Sequence, residues 1–492
     1  MAGWVACSVA PQQNVPSSEM ARAPAAQLAS DPAPNEGQAG APSHPGGELA
    51  TWLKSKMPKG GELVDDSAER PRVVHVAAAD DTYASIASAY VDLTDIYLTS
   101  DVEKAIRKEN SIGAYATQPK PGDRITIPSI VKSAPKSPED ERLAWPEDRS
   151  LRGLYVRGYT AQSSLYTAVL SRMAKRGMNM IVLDAKDYDG VLTYRSQVPL
   201  AVETGAIKGA PIRDMARTIR FAHQYGVRVA VRVSCFEDEF MTKAKPTLSV
   251  QAQWKRPYQI GWFDPSNEDA QAYILALVTE AIDLGADEIE LDYVRYPVLG
   301  IKGADFDLER RKLTKKVVIR DFVRKAHAIT QARHVPLSLD IFGVVAEGKP
   351  EDIEMLGQEP AMLAPECEAL SPMVYPSHYA AGYQGFEIPG NHPEIVGIAT
   401  KKLIAQLAGK HTSTVVRPWI QAMDYRSPEY GPQYLATECQ SAERGGGVGW
   451  LMWNPTQTYT VAWTALPPLP SKAVADNNDG VASTSAKTSA AP

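Results

Sequence analysis

Cysteine is scarce. Four residues, Cys7, Cys235, Cys367 and Cys439, in a chain of 492 exclude a disulfide-stapled scaffold, and their wide spacing matches no zinc-ligand pattern. Histidine is scarce too: eight in all, with no His-x-His or His-Glu-x-x-His spacing. No run of about 20 apolar residues occurs, so no transmembrane helix is expected. Neither sign of charge dominates. The net charge is −6, without the basic stripe that nucleic acid would demand. A Gly-rich phosphate loop is missing as well. Arg444-Gly445-Gly446-Gly447 reads as a helix stop, because no Lys or Ser/Thr follows in Walker spacing, and no cofactor is expected. What remains is ordinary for a globular chain, 44% hydrophobic and 22% charged, which excludes whole-chain disorder. The length predicts two to four domains.

The ends differ from the middle. Residues 1–70 begin with an Ala-, Pro- and Ser-rich stretch that cannot bury enough apolar surface to offset its ordering entropy, and disorder is expected there. Residues 132–149 read as a linker and 466–492 as a disordered tail. The opening MAGWVACS resembles the end of a bacterial lipoprotein signal, which would make Cys7 a lipid anchor. The charged and apolar regions of such a signal are missing, so this reading requires a start farther upstream. The alternative is a dispensable tail with one exposed thiol.

Residues 71–131 read as a small α+β module. Val73 to Val76 predicts a strand, Asp81-Thr82 caps a helix carrying Ile86, Ala87 and Tyr90, and Pro121-Gly122-Asp123 turns into a strand closed by Pro128. With Asn110, these residues resemble a LysM module, departing from it over 91–105, read as an insertion, and at Ala79. The resemblance implies binding of N-acetylglucosamine-containing glycans such as peptidoglycan.

Over 150–465, short β-rich runs alternate with helical stretches, the pattern of parallel βα units. Eight strands are predicted, near 152–157, 179–184, 227–233, 287–293, 336–342, 370–375, 414–421 and 447–453. The expected fold class is therefore α/β: a (β/α)8 TIM barrel preceded by the small module. A doubly wound open sheet is the alternative.

In a barrel, function sits at the C-terminal strand ends, and residues two apart share a face. Ile289 and Leu291 take the helix side, so Glu290 and Asp292 point inward. Leu337, Leu339 and Ile341 likewise leave Ser338 and Asp340 inside. The other inward ends are Tyr155, Asp184 and Lys186, Arg232, Tyr375, Gln421 and Trp453. So many charges are costly to bury unless they form a site. Two carboxylates on neighbouring strands suit glycoside hydrolysis, and Asp292 with Asp340 is the best pair. Arg232, Lys186 and Arg295 are expected to favour the ionised form of a carboxylate, while Trp453, Tyr155 and Tyr375 offer faces for sugar rings. Core packing is the plain alternative for these aromatics.

The run Glu290-Leu291-Asp292-Tyr293-Val294-Arg295-Tyr296-Pro297 resembles the strand-four signature of glycosyl hydrolase families related to the α-amylase superfamily. Asp184-Ala185-Lys186-Asp187, Ser338-Leu339-Asp340, Met373-Val374-Tyr375-Pro376-Ser377-His378, Pro418-Trp419-Ile420-Gln421 and Gly449-Trp450-Leu451-Met452-Trp453 extend it. The resemblance implies a nucleophile at Asp292 and an acid/base after strand five, Asp340 with Glu347 in reserve. Tyr155, Asp184, Lys186, Arg232, Glu290, Arg295, Tyr375, His378, Gln421 and Trp453 are the expected substrate-binding set. The acidic row also resembles chitinases, but those end in a catalytic Glu where this chain has Asp292 and then Tyr293. The reading is a cell-envelope glycosidase acting on a polysaccharide or on peptidoglycan glycan, outside the cytoplasm. A non-catalytic carbohydrate-binding barrel is the second reading. A metal-dependent hydrolase using Asp184, Asp187 and His378 is the third. Trp262-Phe263-Asp264-Pro265 is expected to precede a helix capped by Asp264 or Ser266, with a lesser expectation that it lines the cleft, and Glu237-Asp238-Glu239 is expected to be a solvated loop.

Overall fold

Short, largely apolar runs form eight parallel strands that close on themselves. They are Leu151–Val156, Met180–Lys186, Arg228–Ser234, Glu288–Asp292, Leu337–Phe342, Ala369–Met373, a seventh in two pieces (Val415–Val416 and Trp419–Gln421), and Gly449–Trp453. Strands one to six pair in order, strand eight pairs with strand one, and strands six and seven complete the ring. In this computed structural model, residues 45–65, 71–113, 115–252, 260–298, 302–410 and 413–469 are described. All eight predicted strands are present. Pro418, which has no N–H to give the ladder, separates the two pieces of the seventh.

The apolar rows face the helices as their alternation requires. Ile289, Leu291, Leu337, Leu339 and Ile341 are fully buried in the main core. The helices include Ser164–Ala174, Met215–His223, Glu268–Asp283, Lys315–Ala332, Ile395–Leu407 and Pro432–Arg444. The cap of Glu268–Asp283 is Asn267, whose side chain accepts from the Ala270 amide at 3.0 Å. Asp264 instead holds Ser266, through its amide and hydroxyl. Among the described residues, no helix is long and apolar enough to cross a membrane.

The lower mouth of the barrel is closed by the segment expected to be a linker. The Trp145 indole donates to Glu288 at 2.9 Å, and its ring lies 5.6 Å from the Arg417 guanidinium. Arg417, wholly buried in the break of strand seven, ion-pairs with Glu288. Arg142 reaches the Ile282 and Arg333 carbonyls, and Arg149 reaches Ser413.

The small module carries an antiparallel sheet in the order Gly61–Asp65, Arg72–Val76, Arg124–Ile127. Two helices, Tyr83–Tyr90 and Thr99–Glu109, pack on it. Thr82 forms a capping box with Ser85. Two features differ from expectation. Part of the stretch read as an insertion is the start of the second helix, and residues 45–65, in the segment expected to be disordered, form a helix (Pro45–Lys56) and the third strand. Composition hid this helix because Leu49 and Leu53, one turn apart, follow a long Ala-, Pro- and Gly-rich stretch. Both are buried against the module core. Residues 1–44, including Cys7, and the tail from 470 lie outside the described residues. Tyr97 joins module to barrel, donating to the Ala161 carbonyl at 2.7 Å and stacking on Phe221 at 4.4 Å.

Candidate active site

The upper mouth holds a cavity of about 450 Å3, lined by Arg232, Glu237, Trp262, Asp292, Tyr293, Arg295, Asp340, Phe342, Tyr375, His378, Trp419 and Trp453, among others. Its floor is electrostatic. Arg232, from strand three, reaches carboxylates on both flanking strands. It donates to Asp184 from Nη1, and to Asp292 from Nη2 at 2.6 Å and Nε at 3.1 Å. Asp340 Oδ2 lies 3.9 Å from the same Nε, so these oxygens of Asp292 and Asp340 stand no more than about 7 Å apart. That span includes the separation of a retaining pair, ~5–5.5 Å.

Each carboxyl has its own surroundings. Tyr155 donates to Asp184, whose carboxyl burial pushes up to about 7 against the pull of Arg232. Asp292 accepts the Tyr293 amide at 2.6 Å. Tyr293 sits at φ 49°, a conformation that costs a bulky residue of order 1–3 kcal/mol and that collects at functional sites. Asp340 is 1% exposed and accepts the Trp419 indole at 2.6 Å. Burial, then the charges of Glu290 and Asp292, push it well above the carboxylate range. Glu290 is pushed up to about 8 by burial, against the pull of Arg417. Glu290 Oε1 and Asp340 Oδ2 lack a donor unless one carboxyl carries a proton for the other.

Of the expected residues, the fold gathers Asp292, Asp340, Arg232, Arg295, Tyr375, His378 and Trp453 around the cavity. Trp262 also lines it. Arg295 lies 4.6 Å from the Trp262 ring and 4.1 Å from that of Phe342. Burial, with Arg426, pulls His378 down to about 4.

Other expected residues stand elsewhere. Lys186 does not reach the cavity, because the register of strands two and three slips between Asp184 and Lys186 and re-aims its side chain. Its ammonium is fully buried on the Ser234 carbonyl (2.9 Å), the Glu237 carbonyl (3.1 Å) and Asp238 (3.0 Å). Glu290 lies in the barrel interior, 4.0 Å from Arg417. Tyr155 sits behind Trp453, ring on ring at 4.4 Å. Gln421 is spent on the loop above strand seven, donating to the Met423 and Tyr425 carbonyls and accepting the Ser377 amide. Glu347 pairs with Lys402 at 2.8 Å and Tyr383 at 2.5 Å, away from the cavity wall. Asp184 and Asp187 do not converge with His378, and no group of three or more His, Cys, Asp or Glu is placed to hold a metal among the described residues.

Glu237, expected to be solvated, is instead half-buried on the cavity wall. Burial pushes its carboxyl up to about 7, with Arg295 opposing and Asp292 adding. The only sequence signal for it was its place just past the end of strand three, where barrel sites collect.

Residues 153–459, more than half of the chain, match the family model described as "putative glycosyl hydrolase domain" (DUF4015). No curated protein matches. Among solved structures, a hypothetical protein from Ruminiclostridium thermocellum is 29% identical, with a TM-score of 0.35, over 38% of this chain and 96% of its own. The spore cortex-lytic enzyme SleL of Bacillus megaterium is 12% identical, with a TM-score of 0.39, over 87% and 95%. A β-N-acetylhexosaminidase of Bacteroides fragilis is 10% identical, with a TM-score of 0.43, over 78% and 76%.

Proposed function

The chain belongs to the putative glycosyl hydrolase domain family, and from that premise we propose that it hydrolyses O-glycosidic bonds at the upper mouth of the barrel. The observation that carries this reading is the Arg232 clamp. One buried guanidinium holds Asp184 and Asp292, with Asp340 beside them, at the floor of a cavity walled by Trp262, Tyr375, Trp419 and Trp453. Asp292 faces the cavity as the carboxylate that attacks the anomeric carbon or activates water against it. Proton donation to the leaving oxygen needs a second carboxyl that keeps its proton near neutrality. Of the raised carboxyls, Asp340, nominated by its place on strand five, and Glu237 are the two that line the cavity. The aromatic walls suit the apolar faces of sugar rings.

The substrate we propose is a polysaccharide or the glycan of peptidoglycan. This rests on the LysM-like residues of the small module, Asp81-Thr82, Asn110 and Pro121 to Pro128, which would bring the barrel to such a polymer. A periplasmic or cell-envelope location follows from that substrate, and a lipid anchor at Cys7 would be consistent with it.

The test is sugar release by the full chain from peptidoglycan and a panel of α- and β-linked polysaccharides, beside Asp292→Asn. Release by the wild type that is lost in the variant is expected. Binding by both proteins with release by neither would replace this reading with that of a non-catalytic carbohydrate-binding barrel.

A further inference from the structure

We infer that Glu237, and not Asp340, is the group that protonates the leaving oxygen; the inference rests on the glycosidase reading above. The argument starts from register. Ser234, the last residue of strand three, stands opposite Asp292 on strand four, and the Cys235 amide donates to the Asp292 carbonyl at 2.8 Å. Glu237, three residues farther along, therefore rises above Asp292 on the mouth side, where a sugar bound against Asp292 presents its leaving group.

Its backbone is fixed from several directions. The buried Lys186 ammonium holds the Glu237 carbonyl and ion-pairs with Asp238. Glu237 also bridges to Trp262 across the cavity rim. Asp238 caps the following helix through the Met241 amide. Gly190, at φ +91°, lets the neighbouring turn close over Asp238, where a Cβ would stand 1.9 Å from Oδ1. A surface loop needs no such scaffold, whereas a proton donor must be held within a fraction of an ångström of its target.

The carboxyl itself is uncommitted. Among the described residues it has no hydrogen-bond or ion-pair partner. Arg295, Asp292, Lys186 and Arg232 act on it electrostatically, and Glu237 in turn raises Tyr188 and Tyr293. Partial burial beside Asp292 keeps a proton on Glu237 near neutrality, so one carboxylate can act as base or nucleophile while its neighbour is still an acid.

Asp340 is placed differently. One oxygen accepts the Trp419 indole, and the other has no donor among the described residues and is buried in the barrel interior next to the charge of Glu290. A proton raised on Asp340 by burial and by the neighbouring Glu290 charge has Glu290 as its nearest acceptor, below the cavity. That makes it a positioning residue for the Arg232–Asp292 pair.

In the reaction, the bond from the anomeric carbon to the leaving oxygen breaks and its electron pair goes to that oxygen. The Glu237 proton moves to the same oxygen, leaving a carboxylate. Asp292 supplies electrons to the anomeric carbon, directly or through a water it activates. The water that completes hydrolysis gives its hydroxyl to the sugar, and its proton restores the acid.

Leaving-group dependence tests this. Full-length wild type, Glu237→Gln, Asp340→Asn and the exposed control Glu239→Gln are assayed on dinitrophenyl and methylumbelliferyl glycosides of both anomers of glucose, galactose and N-acetylglucosamine. Thermal melts establish that each variant is folded. Glu237→Gln is expected to lose on the order of 10²- to 10⁴-fold on the methylumbelliferyl substrate. It loses far less on the dinitrophenyl one, whose phenolate leaves without a proton. Asp340→Asn loses equally on both, and Glu239→Gln matches wild type. Loss of less than about threefold in Glu237→Gln on both substrates, or leaving-group dependence in Asp340→Asn instead, overturns the assignment while the glycosidase reading stands. A wild type that cleaves neither these glycosides nor any polymer of the panel above overturns both. Carbon-13 titration of the Glu237 carboxyl gives a readout independent of turnover. It is expected near neutrality and lower in Asp292→Asn, and an ordinary carboxylate value would overturn the inference.

Discussion

Replacing Arg232 by Met removes the guanidinium that clamps Asp184 and Asp292. Three donor contacts to two carboxylates disappear: Nη1 to Asp184, and Nη2 and Nε to Asp292. Asp184 keeps the Tyr155 hydroxyl and Asp292 keeps the Tyr293 amide, but among the described residues neither has another ion-pair partner. Breaking one side of a buried ion pair costs about 3–5 kcal/mol, because the charge left behind stays desolvated. At roughly 2 °C per kcal/mol, the low end suited to a large domain, this lowers the melting temperature by roughly 6–10 °C. The loss should depend on pH. A protonated carboxyl needs no cation, so the deficit is expected to shrink at about pH 5 relative to about pH 8. Adding Asp184→Asn to Arg232→Met should recover part of the loss, since one uncompensated charge is gone. Melts of the three proteins at both pH values are the assay. A deficit under about 2 °C at the higher pH, or one equal at the two, would refute the claim that this guanidinium is what makes the carboxylates affordable.

Other outcomes follow from the same structure. Asp184, Glu237 and Glu290 are raised to about 7, 7 and 8 from ordinary values of 3.8, 4.5 and 4.5. The folded chain therefore holds protons that the unfolded chain releases between about pH 4 and 8, and stability falls as pH rises through that window. Chemical denaturation across the window should show the decline, and a flat profile would contradict it. Lys186→Met leaves Asp238 buried without its ammonium and frees the Glu237 carbonyl. A stability loss of about 3–5 kcal/mol is expected, with a fall in kcat larger than any change in KM. Trp145→Ala removes the indole that rests on Arg417 and donates to Glu288. Because Trp145 is only half-buried, a loss of roughly 2–4 kcal/mol is expected in urea denaturation. The rate per folded molecule should not change, since the lower mouth lies at the opposite end of the barrel from the cavity.

By itself the sequence determined what is periodic. Strand alternation and helix spacing are local properties, so the eight strands, the closed barrel and the inward rows bearing Arg232, Asp292 and Asp340 were legible before any coordinate. The same holds for the module helix capped at Thr82. Only the tertiary structure decided how those rows divide. Asp184 and Lys186 share a parity, yet a register slip sends one to Arg232 and the other to Asp238, and no spacing rule carries a bulge. Glu290 and Gln421 point inward as parity predicts, but depth along the barrel and competing partners commit one to the interior and the other to a loop. The converse case is Glu237. In the chain it is one acid in a polar triplet. In the fold, the anchors on Lys186 and Trp262 hold it half out of water beside Asp292, and desolvation by that particular wall gives a loop glutamate the protonation behaviour of an acid catalyst.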